Sequence, residues 1–554
     1  MGPLQAWWSL TQRSALWRWS LGLSAAVSLA VSLAVSGVSA PAASHPDRPP
    51  SPRVSANGET LLGAPSPTPG VDAYLGIPFA EPPTGKLRWR APVAFVGRDG
   101  ERSATDFAPA CMQSPRILDW YRGMAERFGA SRAVFPDLAV SEDCLYLNVW
   151  APRERRGERL PVLVFFHGGS NRSGWSFEPN YHGHRLAAQG AVVVTIAYRL
   201  GAFGFISHPE LAGEPAQANF GLWDQLAALR WVQRHIAAFG GDRGRVTLFG
   251  ESAGGGDIAA LMLSPTAHGL MHRAIIQSGG DFGWAGIRTL EAEQQRGVEL
   301  ARAFDADQPP DLAALRDIDA TRLLEVAERV FSEHYHAPVV DGVIVTGPLR
   351  QQLATADWPL QQLIIGTNAD ETYSDEQRGA NEAAIDAAVG SAAVLNTDAV
   401  RAELRSTPDA ATALNRLGTA DSMLCPAQQL ASAVALGRRQ VWTYLFSRVR
   451  EGAAAARLRA YHGAELPYVF GTHDDWLPTV AVDRRITREM MQAWVAFAAS
   501  GSPEGEQIPR WPRHRSDSEP QMLRFDAITG PIAPPEAVLC AIYRERTAAS
   551  PSQN

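Results

Sequence analysis

Short apolar runs alternate with amphipathic stretches along the middle of the chain. The runs 161–167 (PVLVFFH) and 191–198 (AVVVTIAY) are rich in branched and aromatic residues, which is typical of strands buried on both faces of a sheet. Between residues 222 and 239 apolar side chains recur every three or four positions, which predicts a helix packed on that sheet. The same reasoning predicts strands at 245–249, 274–277, 363–365 and 441–446 and a late helix at 486–499.

This alternation predicts an α/β fold, a central mixed sheet flanked by helices. No linker divides the middle of the chain, so we expect a single domain over residues 56–554. Residues 375–425 are rich in Ala, Asp and Asn, and we interpret them as a helical insertion or cap.

The first 42 residues have the layout of a signal peptide. They carry arginines, no acidic side chain and then a long apolar run, and Ala40-Pro41-Ala42 supplies an A-x-A cleavage pattern. Residues 43–55 are rich in Pro and Ser and are expected to form a tether. We therefore expect a secreted or periplasmic protein, cleaved near residues 40–42; an uncleaved signal anchor is the alternative.

Composition narrows the classes of partner. Of 554 residues, 45% are hydrophobic and 20% are charged, which is the balance of a chain with a large core and excludes disorder. With a formal net charge of -7, the chain has no positive field that would attract phosphates or an anionic membrane surface. We therefore expect no nucleic-acid partner and, after signal cleavage, no membrane partner.

The four cysteines are Cys111, Cys144, Cys425 and Cys540, an even number in a chain with an export signal. This predicts two disulfides, and nearest-neighbour pairing would join the first two and the last two. Each would stabilise the fold by about 3 to 5 kcal/mol. Spacing leaves all three connectivities open. A zinc site is the weaker alternative, because no two cysteines lie within four residues, and we expect no metal and no cofactor.

A candidate nucleophile follows the strand predicted at 245–249. Residues 250–254 read G-E-S-A-G and precede an Ala- and Leu-rich stretch, so this G-x-S-x-G motif lies between a strand and a helix. The glycines allow a sharp reversal that holds Ser252 in strained geometry with its hydroxyl exposed. We predict that Ser252 is a nucleophile; an ordinary turn is the alternative.

A second Gly-rich turn ends the strand predicted at 161–167. Residues 165–170 read FFHGGS, a sequence suited to backbone amides that hold a developing oxyanion, with a flexible turn as the alternative. Asn171 and Arg172 follow, and we interpret them as a solvent-facing turn. The alternative is an arginine that favours substrates bearing carboxylates.

These motifs occur together with others that are highly specific in combination. The chain resembles the type B carboxylesterases of the α/β-hydrolase fold, which include cholinesterases, liver carboxylesterases and bacterial para-nitrobenzyl esterases. The resemblance spans residues 53–545 and also rests on 74–83 (YLGIPFAEPP), 141–148 (SEDCLYLN), 239–242 (FGGD) and 338–342 (PVVDG). It implies a central, mostly parallel sheet with N-terminal antiparallel strands and helical insertions.

The resemblance implies a catalytic triad of Ser252, Glu371 and His462, in the chain order that this fold requires. Glu371 ends the segment G-T-N-A-D-E, but Thr372 follows where the family usually has glycine. Asp370 therefore remains an alternative acid.

Further roles are implied by the same resemblance. They are the oxyanion hole at Gly169, Ser170 and Ala253, a buried polar network at Glu251, Ser278 and Glu465, an acyl pocket at Phe282 and Trp284, ion pairs Arg88–Glu142 and Arg199–Asp224, and disulfides Cys111–Cys144 and Cys425–Cys540. Ser170 replaces the usual Gly or Ala but keeps its backbone N–H.

We therefore predict a secreted serine carboxylesterase that hydrolyses small-molecule esters through an acyl-enzyme. Aromatic, polyester, carbamate and mycotoxin esters are all compatible substrates. The alternative is a catalytically silent adhesion or binding protein on the same fold. Such relatives generally lack the serine or one of its partners, whereas Ser252 and His462 are both present.

Overall fold

The computed structural model describes residues 51–549, apart from 155–156, 281–287, 333–335, 356–359, 375–376, 378, 392–396, 438, 474–475 and 516–519. The expected signal peptide and most of the expected tether lie outside the described residues. The first strand already begins at Arg53. Across the described ranges, no helix combines the length and the apolar character needed to span a bilayer.

The strands form one large sheet and two small ones. They are β1 (Arg53–Ala56), β2 (Glu59–Leu62), β3 (Ala64–Pro65), β4 (Val71–Pro78), β5 (Glu101–Ser103), β6 (Ala110–Cys111), β7 (Val140–Ser141), β8 (Tyr146–Pro152), β9 (Leu160–Phe166), β10 (Val192–Ile196), β11 (Gly241–Glu251), β12 (Arg273–Gln277), β13 (Gln362–Asn368), β14 (Gln440–Phe446), β15 (Arg513–His514), β16 (Met522–Phe525) and β17 (Gly530–Ile532).

The helices surround the large sheet. They are α1 (Arg116–Arg127), α2 (His184–Ala187), α3 (Gly201–Gly204), α4 (Phe220–His235), α5 (Ala253–Met262), α6 (Leu290–Arg302), α7 (Leu312–Asp317), α8 (Ala320–Val330), α9 (Leu349–Thr355), α10 (Glu382–Ser391), α11 (Thr397–Leu404), α12 (Ala410–Thr419), α13 (Cys425–Leu436), α14 (Ala453–Leu458), α15 (Leu466–Phe470), α16 (Ala481–Ser500) and α17 (Ala537–Ala549).

The large sheet has the order β17-β16-β14-β13-β12-β11-β9-β10-β8-β4-β3, with β15 also paired to β14. Its central strands, from β10 through β9 and β11 to β16, pair in parallel. The N-terminal strands β3, β4 and β8 are antiparallel. This arrangement confirms the predicted fold, a mostly parallel mixed sheet with N-terminal antiparallel strands.

The central strands are buried on both faces, as their apolar runs predict. Along β9, Val162, Val164 and Phe166 belong to one core cluster, and Leu163 and Phe165 belong to the cluster on the opposite face. Helix α4 packs into the first cluster and helix α16 into the second. Side chains of a strand alternate between the faces, so each continuous apolar run supplies both cores.

The elements predicted from hydrophobic periodicity are confirmed. Each observed strand includes its predicted run to within a residue or two, and the helix expected at 222–239 is α4 followed by one 3₁₀ turn, Ile236–Phe239. The insertion expected at 375–425 is helical, formed by α10, α11 and α12 and by a π-helical turn at Ala420–Leu424 that leads into α13.

Both nearest-neighbour cysteine pairs are disulfides in the structure, Cys111–Cys144 and Cys425–Cys540. The second bond joins the end of the helical insertion to α17. The two ion pairs implied by the family resemblance are also present and nearly buried. Arg88 pairs with Glu142 at 2.6 Å, and Arg199 pairs with Asp224 at 2.8 Å.

Candidate active site

Ser252 lies on a sharp turn between β11 and α5. The strand ends at Glu251, the helix begins at Ala253, and Ser252 between them has φ +54° and ψ −126°. Residues with a side chain seldom adopt this combination of angles, and such a strained backbone costs about 1 to 3 kcal/mol. A Cβ atom on Gly254 would overlap the carbonyl oxygen of Phe166, so only glycine lets the helix start this close to the end of β9. The predicted strand-turn-helix context of the motif is confirmed.

The Gly-rich turn after β9 lies directly beside this serine. A Cβ atom on Gly168 would lie 2.8 Å from the Cβ of Ser252. Gly169 and Ser170 follow with φ of +104° and +60°, and within the described chain their N–H groups meet no acceptor. Ala253 is the first residue of α5, so its N–H has no acceptor inside the helix. Three N–H groups are thus available near Ser252, as expected of an oxyanion hole.

His462 and Glu371 are in direct contact. His462 Nδ1 lies 2.6 Å from Glu371 Oε2. The other oxygen of Glu371 accepts hydrogen bonds from Ser278 Oγ at 2.5 Å and from the backbone N–H of Asn368 at 2.7 Å. The Glu371 side chain is fully buried. These bonds hold the carboxylate in one orientation against the imidazole.

Asp370, the alternative acid, points elsewhere. Its carboxylate accepts hydrogen bonds from Asn415 Nδ2 at 2.9 Å and from the backbone N–H of Ala460 at 3.2 Å, and it lies 3.5 Å from Arg459. It therefore connects the acid-bearing loop, which follows β13 and carries Asp370 and Glu371, to α12. The structure brings Glu371, rather than Asp370, to the histidine.

The second ring nitrogen of the histidine faces a different carboxylate. His462 Nε2 lies 3.1 Å from Glu251 Oε1, and within the described residues Ser252 Oγ makes no hydrogen bond. Burial lowers the pKa of His462, but the charges of Glu251 and Glu371 outweigh burial and hold this pKa above its ordinary value. Burial raises the pKa of Glu251. The contact does not have hydrogen-bond geometry, so Glu251 acts on the ring through its charge.

A deeper hydrogen-bond network supports the histidine loop, the segment 459–465 that carries His462 between α14 and α15. Glu465 is fully buried and accepts from Gln277 Nε2 at 3.0 Å and from Asn368 Nδ2 at 2.6 Å. Asn368 Nδ2 also donates to the backbone oxygen of Tyr461 at 2.8 Å, which ties the end of β13 to the residue before His462. Sequence reasoning named Glu465 but missed Gln277 and Asn368. The signal that could have found them is their position in the sequence, at the ends of β12 and β13 and close to Ser278 and Glu371.

Sequence reasoning also missed Glu178. This glutamate is buried beside Tyr121 and Tyr181, whose hydroxyls lie 3.4 Å apart. Burial raises the pKa of Glu178 to about 8, and its charge is felt at Glu251. No local motif marks Glu178, because its neighbours come from distant segments of the chain.

Two expectations about the pocket have different outcomes. Phe282 and Trp284 lie outside the described residues. The interpretation of Asn171 and Arg172 as a solvent-facing turn is wrong, because both side chains are buried. Arg172 Nε and Nη2 bind the carboxylate of Glu328 at 2.9 and 2.6 Å, so this guanidinium already has a carboxylate partner within the protein.

No set of three or more His, Cys, Asp or Glu side chains is arranged to hold a metal ion in the part of the chain that the structure describes. The chemistry that this site offers comes from a serine on a strained turn, a histidine between carboxylates, and backbone N–H groups beside the serine. Together these can activate a hydroxyl and hold a negatively charged oxygen.

Comparison with known proteins places this site in a family context. The family model described as "Carboxylesterase family" matches residues 50–530. The chain is 33% identical to the fumonisin B1 esterase of Sphingopyxis macrogoltabida, over 81% of this chain and 82% of the relative. It is 34% identical to human cocaine esterase, over 82% and 84%, and 32% identical to the para-nitrobenzyl esterase of Bacillus subtilis (strain 168), over 83% and 92%.

Two solved esterase structures superpose on this chain. A PNB esterase superposes with a TM-score of 0.75 and 28% identity, covering 89% of this chain and 99% of that one. A thermophilic PNB esterase superposes with a TM-score of 0.74 and 29% identity, with the same coverage. The similarity therefore extends over nearly the whole described chain.

Proposed function

The chain belongs to the carboxylesterase family and is a carboxylic ester hydrolase, and we propose that it cleaves esters through Ser252, His462 and Glu371. The observation that carries this proposal is the 2.6 Å contact between His462 and Glu371 beside the Ser252 turn. A buried carboxylate at Nδ1 fixes the tautomer in which Nε2 can take a proton.

In the proposed reaction, Ser252 Oγ attacks the carbonyl carbon of the ester while its proton passes to His462 Nε2. The N–H groups of Gly169, Ser170 and Ala253 bind the oxygen that becomes negative. The tetrahedral intermediate expels the alkoxide, which takes the proton from His462, and an acyl-serine ester remains. Water then repeats the sequence and releases the acid.

Glu251 acts on the charged form of the histidine in this scheme. When the serine proton reaches Nε2, the imidazolium has Glu371 on one side and Glu251 on the other. A negative charge within about 4 Å stabilises the protonated ring. Glu251 thereby lowers the free energy of the intermediate and opposes loss of the proton.

For the substrate, we propose a small-molecule carboxylic ester, in the class that the relatives' names span: a mycotoxin ester, an alkaloid ester and an aromatic ester. Export to a secreted or periplasmic location is part of this proposal. It is supported by the signal-like N-terminus and by the two disulfides, which persist in oxidising compartments. N-terminal sequencing of the exported protein should find a start just after residues 40–42.

The test is hydrolysis of para-nitrophenyl esters, from acetate to palmitate, by the mature protein and by Ser252→Ala. We expect the variant to lose at least about 10⁴-fold in kcat, since no other hydroxyl replaces the nucleophile. Ser500→Ala, at an exposed helix end, is the matched control and should keep full activity. Turnover by Ser252→Ala at the wild-type rate would overturn the proposal.

A further inference from the structure

The turn that carries the oxyanion N–H groups has a positive φ at three consecutive residues. Gly169, Ser170 and Asn171 have φ of +104°, +60° and +53°. Serine rarely occupies this left-handed region, asparagine tolerates it better, and a strained backbone persists only where the surroundings impose it. Contacts outside the turn must therefore hold it in this shape.

Asn171 makes contacts of this kind. It is completely buried, and its Nδ2 donates to Asp257 Oδ1 at 3.0 Å. Its backbone oxygen accepts from the N–H of Gly201 at 2.7 Å. Its side-chain oxygen lies 3.3 Å from Tyr198 Oη, whose shorter hydrogen bond goes to the backbone oxygen of His167 at 2.6 Å. The side-chain amide and the backbone oxygen of Asn171 thus contact segments outside the turn.

Asp257 connects this turn to the nucleophile. It lies in α5, five residues after Ser252, and is completely buried. Its second oxygen accepts from Gln225 Nε2 at 2.6 Å, and no salt bridge to Asp257 is found within the described chain. A buried carboxyl group held only by two amides costs folding free energy, so it is a poor general stabiliser. Its geometry instead gives one specific link between α5 and the turn.

We propose that Asn171 and Asp257 form a clamp that fastens the oxyanion turn to the nucleophile helix. The clamp keeps the N–H groups of Gly169 and Ser170 aimed at the oxygen that Ser252 makes negative. Asn171 and Asp257 are positioning residues, since neither side chain touches the reacting atoms. This inference rests on the proposed function of Ser252 and its oxyanion hole.

A clamp of this kind has a distinctive kinetic signature. The oxyanion carries its full charge only in the tetrahedral state, so misaimed N–H groups raise the barrier to reaction and leave substrate binding nearly unchanged. We expect Asn171→Ala and Asp257→Ala each to lower kcat about 10- to 100-fold, with KM within about threefold of wild type. Because both variants break the same link, the double variant should lose little more than either single one.

A trifluoromethyl ketone provides a readout that loss of stability alone would not change. Ser252 Oγ adds to the ketone carbon, the carbonyl double bond opens, the serine proton passes to His462, and the resulting oxyanion occupies the hole. Its inhibition constant should weaken in both alanine variants by the same factor as kcat/KM. Asp257→Asn should stay within about threefold of wild type, because its amide can accept from Asn171. Once the Gln225 amide turns over, the new amide can also donate to Gln225 Oε1, which has no partner among the described residues.

Asn219→Ala is the matched control. Asn219 is also buried, has φ +55°, and donates to an aspartate, Asp341, at 2.9 Å, but it lies at the start of α4. It should lower the melting temperature without changing kcat of the folded enzyme or the inhibition constant.

The proposal is overturned if folded Asn171→Ala and Asp257→Ala keep wild-type kcat and inhibition, or if Asn219→Ala loses as much. If Asp257→Ala does not fold, the test rests on Asn171→Ala, which should lose activity, and on Asp257→Asn, which should keep it. Failure of the proposed function is distinguishable, because in that case Ser252→Ala would retain activity. Failure of the clamp alone leaves an active wild type and an inactive Ser252→Ala.

Discussion

Three carboxylates lie around His462, and each acts on it in a different way. Glu371 binds Nδ1 and Glu251 lies at Nε2, whereas Glu465, three residues after His462, acts on the ring through its charge and binds Asn368. In a buried site each negative charge favours the protonated ring, while burial raises the pKa values of Glu251 and Glu465. The site therefore stabilises the imidazolium that the reaction creates, and removal of one acid should be visible in the pH dependence.

Glu251→Gln should shift the acid limb of the pH profile of kcat/KM to lower pH by about one unit or more. The base must be unprotonated to act, so activity falls as the pH drops through the pKa of His462. Glu251 raises this pKa, and its removal lowers it. Because the pKa of His462 is raised to about 10, the measurement is kcat/KM from pH 5 to 10.5 with para-nitrophenyl butyrate, corrected for spontaneous hydrolysis. Glu325→Gln, at an exposed position, is the control; an acid limb that stays or moves upward would contradict the assignment.

The choice between neighbouring acids can be tested by the same assay. Glu371→Gln should lower kcat about 10³- to 10⁴-fold, because an amide can stabilise the wrong histidine tautomer. Asp370→Asn should change kcat less than about tenfold while lowering the melting temperature, because it loses only a link to α12 and Arg459. A larger kinetic loss in Asp370→Asn would reverse the proposed roles.

The helical insertion packs directly on the acid-bearing loop. Besides the bond from Asn415 to Asp370, Thr372 lies against Gly418 of α12, where the structure leaves no room for a Cβ atom. Thr372 is the residue that departs from the glycine usual in the family, and Gly418 accommodates its side chain. The insertion is thus part of the support for Glu371.

Gly418→Ala should destabilise the protein by about 1 to 3 kcal/mol, because the new methyl group would overlap the Thr372 hydroxyl. Adding Thr372→Gly should restore much of this loss by emptying the space. The measurement is chemical unfolding, with Gly390→Ala as control. Gly390 lies on α10, and no described residue comes within 4 Å of its Cβ position, so alanine there should be neutral or stabilising by up to about 1 kcal/mol. Equal behaviour of both alanine variants would contradict the contact.

Across the whole molecule, two large hydrophobic cores on opposite faces of one sheet support the fold. Cys111 and Cys144 belong to the first of these cores, whereas Cys425 and Cys540 belong to a smaller cluster between the insertion and α17. The Cys111–Cys144 bond closes a short separation of 33 residues near the N-terminal edge, and Cys425–Cys540 closes 115 residues between the insertion and α17. All four cysteines are buried, so the two bonds differ chiefly in the length of chain that they constrain.

Replacing Cys425 and Cys540 together by serine should lower the free energy of unfolding by about 3 to 5 kcal/mol. The Cys111→Ser/Cys144→Ser variant should lose about 1 kcal/mol less, because the shorter loop removes less entropy from the unfolded chain. Denaturant unfolding of both double variants without reductant measures the difference. The opposite ranking would show that native contacts around the disulfides, and not loop closure, determine how much unfolding free energy is lost.

Features encoded over a few consecutive residues could be predicted without the structure. The buried strands follow from continuous apolar runs, α4 and α16 from helical periodicity, and the Ser252 turn from the flanking glycines of a single pentapeptide. These signals are local, because backbone sterics and side-chain spacing act between neighbours in the chain.

The tertiary structure alone decided which groups meet. Asp370 and Glu371 are adjacent in sequence, and only the approach of the histidine loop and α12 separates their roles. Asn171 and Arg172 look polar and exposed, yet they are buried because Asp257 and Glu328 meet them from 86 and 156 residues away. A buried polar side chain is tolerated only when a partner reaches it, and chain packing, which no local pattern encodes, brings that partner there.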